Sequence, residues 1–224
     1  MSLATVTPMF QPDRNAMAAH VEHLFGGYLD GFHDGLVELA WTQTTPNADG
    51  RHPLNQARQF GTDQLDELVD EAVRLNSQPM CNVYIGAALR HPDTAPFGRA
   101  TDADVWAFTC RHADLDDEGA SRAAKDRYGA CPPTMVVATG RHPYPRGQLW
   151  WRLVEATDDI EGSVAALKGI AAALDGDTTV TNPSRVMRLA GSVAWPMKEE
   201  RKTELTAIVP LKKPGKTTYF AEEL

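Results

Sequence analysis

The chain has 224 residues, with 22 Lys+Arg against 30 Asp+Glu (formal net charge −8) and 42% hydrophobic residues. That length fits one large domain or two small ones, and the acidic balance excludes a protein coated in basic patches. No apolar run is long enough to span a bilayer, and the three scattered cysteines form no CxxC pair, so no membrane role is expected, and a reduced, cytoplasmic protein is expected ahead of a disulfide framework.

The opening MSLATVTPMF lacks a basic flank and a long apolar core, so no secretory signal is expected. Residues 15–29 read as a helix with Met17, Val21, Leu24, Phe25 and Tyr28 as its apolar positions. Residues 35–43 (GLVELAWTQ) read as a strand. The polar stretch 44–61, with Pro46, Gly50 and Pro53, reads as a loop. Thr62 suits an N-cap, and Leu65, Leu68, Val69, Ala72, Val73 and Leu75 give a helical stripe behind it. Residues 80–90 (MCNVYIGAALR) predict one strand, followed by a loop with prolines at 92 and 96.

The stretch 106–118, WAFTCRHADLDDE, reads as a buried strand that ends in acid. Strand alternation puts Trp106, Phe108, Cys110, His112, Asp114 and Asp116 on one face. Two carboxylates so placed repel unless a cation lies between them, which suits Mg²⁺ or Mn²⁺ with oxygen ligands. The alternative is an acidic strand-to-helix turn without metal.

Further along, the spacing predicts a helix over 118–128 closed by Gly129, a strand over 134–139 and a turn over 140–147. A strand over 148–155 and a helix over 158–174 follow, the latter capped by Gly176. Residues 177–195 read as irregular, 204–209 as a last strand, and 212–216 as a basic tail. Short turns between consecutive strands point to an α+β or mixed sheet rather than a doubly wound parallel one. Residues 1–133 hold 10 Lys+Arg and 19 Asp+Glu, and residues 134–224 hold 12 and 11. A nucleic-acid surface would therefore belong to the second half and be strongly salt-dependent. The final TTYFAEEL shows no obvious terminal element, which leaves a longer parent chain open.

Three segments could converge on the acids. In the 148–155 strand, Gln148, Trp150 and Arg152 alternate on one face. An amide, an indole and a guanidinium so arranged suit a nucleotide, by phosphate grip and base stacking; a face covered by a helix is the alternative. Asp175 or Asp177 could supply a third metal carboxylate, or serve as a capped turn. Arg185 and Arg188 sit among Val, Met and Leu, where an arginine is costly to bury unless it meets an anion. That anion is either a triphosphate or the aspartates. His20, His23 and His33 carry no cysteine or carboxylate at zinc-ligand spacing, and Cys110-x-His112 reads as core lining.

The order ADLDD, GQLWWRL, GDTTVTNPSRVMRLAGSVAW resembles the catalytic core of the archaeo-eukaryotic primase superfamily, in its plasmid- and phage-encoded primase or primase–polymerase branch. The similarity spans the middle and last thirds of the chain. It implies an RNA-recognition-motif-like mixed or antiparallel sheet packed with a smaller N-terminal α/β unit. One catalytic domain would fill 1–224: an accessory part at 1–100, the metal-binding sheet core at 101–210 and a basic tail at 211–224. By motif, Asp114, Asp116 and Asp177 would be the catalytic acids holding Mg²⁺ or Mn²⁺, with Asp175 as a substitute for the third. Arg185 and Arg188 would contact nucleotide phosphates, joined by Gln148, Trp150 and Arg152.

Two positions depart from the family pattern: Gln148 stands where the second-motif histidine is expected, and Ala190 replaces the proline of RLPG. A glutamine can donate to a phosphate but carries no charge. The implied activity is nucleotidyl transfer from an NTP or dNTP to a 3′-hydroxyl on a single-stranded DNA template. A replicative helicase, in trans or fused, is the implied partner, since the chain has no GxxxxGK[ST]. A primase-like nucleic-acid-binding module without chemistry and a metal-dependent nuclease are the competing readings.

Overall fold

The computed structural model describes residues 10–27, 29, 31–129, 131–211 and 216–224. Tyr28 of the expected first helix, most of the opening decapeptide and residues 212–215 of the expected basic tail lie outside them. The chain begins with helix α1 (Arg14–Phe25), whose N-cap Asp13 accepts from Ala16 N. Strands β1 (Leu36–Thr42) and β2 (Leu54–Gly61) follow, then helix α2 (Leu65–Asn76) and the short strands β3 (Val83–Gly86) and β4 (Leu89–Arg90). Next come β5 (Val105–Leu115), helix α3 (Ala120–Arg127), β6 (Met135–Gly140), β7 (Arg146–Thr157) and helix α4 (Ile160–Ala173). The last elements are β8 (Val186–Arg188), β9 (Val193–Ala194), β10 (Glu204–Leu205) and β11 (Ala207–Ile208).

The fold is α+β, with a mainly antiparallel sheet of nine strands in the order β11-β6-β7-β5-β4-β1-β3-β8, β2 pairing with the outer side of β1. Its two halves meet through β4, which bonds β1 on one side and β5 on the other. The boundary expected at residue 100 therefore falls inside one hydrogen-bonded sheet. At this joint lies an ion pair without solvent exposure. Glu38 of β1 accepts from Arg90 Nε (3.1 Å) and Nη2 (2.7 Å), and its other oxygen accepts from Arg99 Nε (2.6 Å) and Ala100 N (3.3 Å). Pairing and hydrogen bonding on every side are what make a buried charge of this kind tolerable.

Helices cover both faces. On one, Met17, Val21, Leu24 and Phe25 of α1 and Leu68, Val69 and Ala72 of α2 share a core with Cys110 and Trp150. On the other, Leu174 and Ile170 at the end of α4 pack with Ala113, Leu115, Leu149 and Trp151. The alternation read in 148–153 holds: Trp150 and Trp151 belong to opposite cores. That of 106–116 does not hold throughout. A register irregularity between Phe108 and Cys110 sends Phe108 to Val105 and Leu167, away from Cys110, while Trp106 packs edge-on against Phe32.

Several expected elements are corrected. The end of the loop expected over 44–61 is strand β2, whose polar LNQARQFG gives no apolar alternation yet pairs residue by residue with β1. The single strand expected over 80–90 is two, β3 from Val83 and β4 from Leu89, separated at Ala87 and Ala88, although Ala87 N still extends the β3–β8 pairing to Arg185 O (2.9 Å). Helix α2 starts at Leu65 after a 3₁₀ turn, and the Thr62 hydroxyl bonds His33 O instead of capping. The C-terminal cap of α4 places Asp175, not Gly176, in the left-handed region (φ 52°). Gly176 N then reaches back to Ala171 O (2.8 Å), closing a Schellman-type end. The last strand divides at Thr206 into β10, paired with β9, and β11, paired with β6, and the segment expected to be irregular contains β8 and β9.

Helix α1 is tied to the Leu189–Ser192 turn. Asp13 N donates to Gly191 O (2.8 Å) and Ala190 N donates to His20 Nδ1 (3.1 Å). Gly191 has φ +77°, and a Cβ there would stand 2.4 Å from Asp13 O. We therefore expect Gly191→Ala to lower stability to urea by at least about 2 kcal/mol, from strain and clash together. His20 is fully buried, and burial, aided by His23, pushes its pKa down to about 3. Between pH 6.5 and about 3 the unfolded chain binds a proton that the folded chain refuses. Stability from this group is complete above pH 6.5 and falls on acidification, with a limiting slope of about 1.4 kcal/mol per pH unit. Urea midpoints measured from pH 7 to 4.5 should fall more steeply for the wild type than for His20→Gln.

Candidate active site

A cavity of ≈ 300 Å³ opens where β5, β7 and β8 converge, and Asp114, Asp116, Arg146, Gln148, Arg185, Arg188, Trp195, Arg201 and Lys202 are among its lining residues. Asp114 is the penultimate residue of β5 and Asp116 follows the strand end. Asp177 approaches from the connection after α4, its N–H donating to Asp114 O (3.0 Å). Gly176 permits this approach, since a Cβ there would lie 3.1 Å from the same oxygen. Of the three acids singled out in the sequence, Asp114 and Asp116 line the cavity and Asp177 does not, though its backbone is bonded to that of Asp114. Burial, then the charges of Asp116 and Asp177, push the Asp114 carboxyl up to about 7, partly offset by Arg188 and Arg185.

Two of the carboxylates already have partners. Asp116 accepts from Arg201 Nη2 (2.6 Å) and pairs with Arg146 Nε (3.4 Å). Asp177 Oδ1 accepts from Thr179 N (2.8 Å) and Thr179 Oγ1 (2.6 Å). Among the described residues no three His, Cys, Asp or Glu side chains are gathered into a metal-ligating group. The donor set still fits a hard divalent cation: Asp114 and Asp116 line the cavity, and the charges of Asp116 and Asp177 push the Asp114 carboxyl up, a repulsion that such an ion relieves. Asp175 does not join them; it caps α4 and pairs with Arg127.

The opposite wall is cationic. Arg188 Nη1 donates to Asn82 Oδ1 (2.7 Å), and its guanidinium lies 5.1 Å over the Tyr84 ring. Arg185 Nη2 donates to Thr179 O (2.7 Å). Residues 182–185 are held from outside: Asp102 accepts from Ser184 N (2.9 Å) and Ser184 Oγ (2.6 Å), and Arg90 Nη2 donates to Ser184 O (3.3 Å). Three buried donors lining the cavity, Arg185 Nε, Arg201 Nε and Trp195 Nε1, have no partner. Unpaired N–H groups on residues that line a cationic cavity favour an anion with several acceptor oxygens.

Gln148 lies opposite Asp114 in the β5–β7 register. With its amide oriented to satisfy its neighbours, Nε2 donates to Arg188 O (3.1 Å) and Oε1 accepts from Arg188 N (3.2 Å). The side chain therefore acts as a strand partner for β8. Trp150 and Arg152 are corrections to the expected nucleotide face, because α1 covers it. Trp150 has 0% exposure and packs against His20 and His112. Arg152 donates to the carbonyls of His23 (3.2 Å), Leu24 and Gly26 (2.9 Å) at the C-terminal end of α1, where a cation complements unpaired C=O groups. Sequence reasoning missed Arg146 and Arg201, which lie in an expected turn and in a segment without periodicity; their only signal was the surplus of basic residues after position 133.

No family model and no curated protein matches the chain. Among solved structures it is similar to the AEP domain of the primase–polymerase of cyanophage S-2L, at 18% identity and TM-score 0.62, covering 95% of this chain and 96% of that one. It is also similar to primase RepB′, at 16% identity and TM-score 0.52, covering 90% of this chain and 58% of that one. The catalytic domain of RepB′ in complex with initiator DNA gives 16% and 0.52, with 92% and 87% covered. The chain therefore has a primase-like α+β fold.

Replacing Gln148 by Leu would leave the Arg188 peptide N–H and C=O without their partners. The expected loss is about 2 kcal/mol in urea unfolding.

Proposed function

We propose that this chain belongs to the archaeo-eukaryotic primase superfamily and is a primase or primase–polymerase catalytic domain. It would transfer nucleotides from NTP or dNTP to a 3′-hydroxyl on single-stranded DNA. The observation that carries the reading is the cavity with Asp114 and Asp116 on one wall and Arg185 and Arg188 on the other. The likeness of fold to a primase–polymerase domain and to a primase seen with initiator DNA supports it.

Asp114, Asp116 and Asp177 would hold Mg²⁺ or Mn²⁺. Bound there, the metal would activate the attacking hydroxyl and neutralise charge on the leaving pyrophosphate. The protein's own part is electrostatic and positional. Arg185 and Arg188 reach the cavity from a segment fixed at Ser184, so their charge is already oriented when a triphosphate arrives. Arg185 Nε, free of any partner, would donate to a phosphate oxygen. Gln148 keeps the β8 backbone beside β7, and so sets the distance between acids and arginines. No side chain need serve as nucleophile, in keeping with phosphoryl chemistry driven by positioning.

One observation favours a second reading, a nucleic-acid-binding module without chemistry: Asp116 and Asp177 are engaged by Arg146, Arg201 and Thr179, and the acids form no ready metal-ligating group among the described residues. Synthesis on a single-stranded template with labelled nucleotides and Mn²⁺, with and without primer, separates the two. The enzyme reading expects product from the wild type and a loss of at least about 10³-fold in Asp114→Ala/Asp116→Ala. Template binding without product in any lane, from folded protein, would establish the module instead, and template cleavage without nucleotide would point to a nuclease.

A further inference from the structure

Arg146 and Arg201 hold Asp116 in different ways. Arg146 is fixed by several acceptors: it bonds His142 O and pairs with Glu204 (3.5 Å) as well as Asp116. Glu204 is itself held by Arg141 N (2.9 Å) and His142 N (3.3 Å). Arg201 has one side-chain partner, Asp116, and its buried Nε has none. It sits between β9 and β10, just after a turn closed by Arg201 N to Lys198 O (3.1 Å), with no strand to fix it. Asp116 likewise lies beyond the end of β5. Two groups free of the sheet thus form the 2.6 Å contact that occupies the carboxylate.

Resting on the primase–polymerase reading above, we propose that Arg201 is an exchangeable counter-ion for Asp116. Before nucleotide arrives it neutralises the carboxylate and keeps a divalent cation weakly bound. The polyphosphate of an incoming nucleoside triphosphate then draws the guanidinium away, giving its buried and unpaired Nε–H an acceptor, and Asp116 is released to ligate the metal that the same nucleotide brings. Arg146, pinned by Glu204, stays in place. A guanidinium prefers the polyphosphate because several oxygens are offered in bidentate geometry in place of one carboxylate. The exchange couples metal affinity to nucleotide binding, and the coupling is reciprocal.

The test is Mn²⁺ binding, followed by the electron paramagnetic resonance signal of free Mn²⁺, with and without a non-hydrolysable dNTP analogue. The proteins are wild type, Arg201→Met, Arg201→Lys, Lys202→Met and Asp114→Asn. Without nucleotide, Arg201→Met should bind Mn²⁺ about tenfold more tightly than wild type, and the further tightening that nucleotide gives wild type should be lost. Lys202→Met removes a cavity charge that makes no contact with Asp116, so its gain should be clearly smaller. Arg201→Lys, which keeps the charge, should fall between, and it serves should the methionine variant not fold.

Equal gains in Arg201→Met and Lys202→Met, or nucleotide-dependent tightening that survives in Arg201→Met and Arg201→Lys, would overturn the exchange. The functional reading would survive that result, provided Mn²⁺ binding is lost in Asp114→Asn. Absence of Asp114-dependent Mn²⁺ binding from every protein, with nucleotide present, would overturn both.

Discussion

Glu38 and Arg90 carry full charges at a place water does not reach, and the arrangement of the molecule follows from the need to satisfy them. Glu38 lies on β1 and Arg90 on β4, the strand that joins the two halves of the sheet. Arg90 spends further donors on Ala88 O and Ser184 O, and Glu38 spends its second oxygen on Arg99 and Ala100. Replacing such a pair by apolar residues is often neutral or stabilising, whereas removing one member leaves the other uncompensated. Its role is therefore best understood as geometric. It fixes where β4 sits, and through Ser184 it fixes the segment that delivers Arg185 to the cavity.

The same logic of satisfied polar groups runs along the far wall. Gln148 substitutes a side-chain amide for a missing strand neighbour and joins β7 to β8 through the Arg188 peptide. The Asp177 N–H does the same for Asp114 O. Asp114, Asp177 and Arg188 are thus positioned through backbone bonds, whereas Asp116 is held by its ion pairs with Arg146 and Arg201. The chain is acidic overall, yet Arg99, Arg146, Arg185, Arg188, Arg201 and Lys202 all line this one cavity. Net charge describes the molecule's field at a distance, while the cavity's chemistry is set within a few ångströms.

What the sequence revealed, and what it hid, divides along physical lines. The apolar stripe of α2 and the alternation around Trp150 and Trp151 were legible because burial imposes periods of 3.6 and 2. The acid pair at the end of β5 was legible because two carboxylates so close need an explanation. Strand β2 was not, because its place depends on backbone pairing with β1 rather than on an apolar face. Trp150 and Arg152 were misread because alternation says which residues share a face, but not what covers it. Here α1 does, and its C-terminal carbonyls claim the guanidinium. Arg146 and Arg201 were invisible because their meaning lies in an ion pair spanning 85 positions in the case of Arg201.

Among the described elements helix α1 is made first, and its supports are among the last to exist. Its C-terminal end is held by Arg152, its middle by Ala190 and its start by Gly191. At translation rates of about 5–20 residues per second, its apolar stripe waits on the order of ten seconds or more for those partners to be synthesised. The N-terminal third cannot complete its core until residues 152–191 have been made. Closure of the fold is a late, long-range event, of the kind that slows folding through the loop it must close. Through that interval the nascent chain exposes Met17, Val21, Leu24 and Phe25, a surface on which a ribosome-associated chaperone could act.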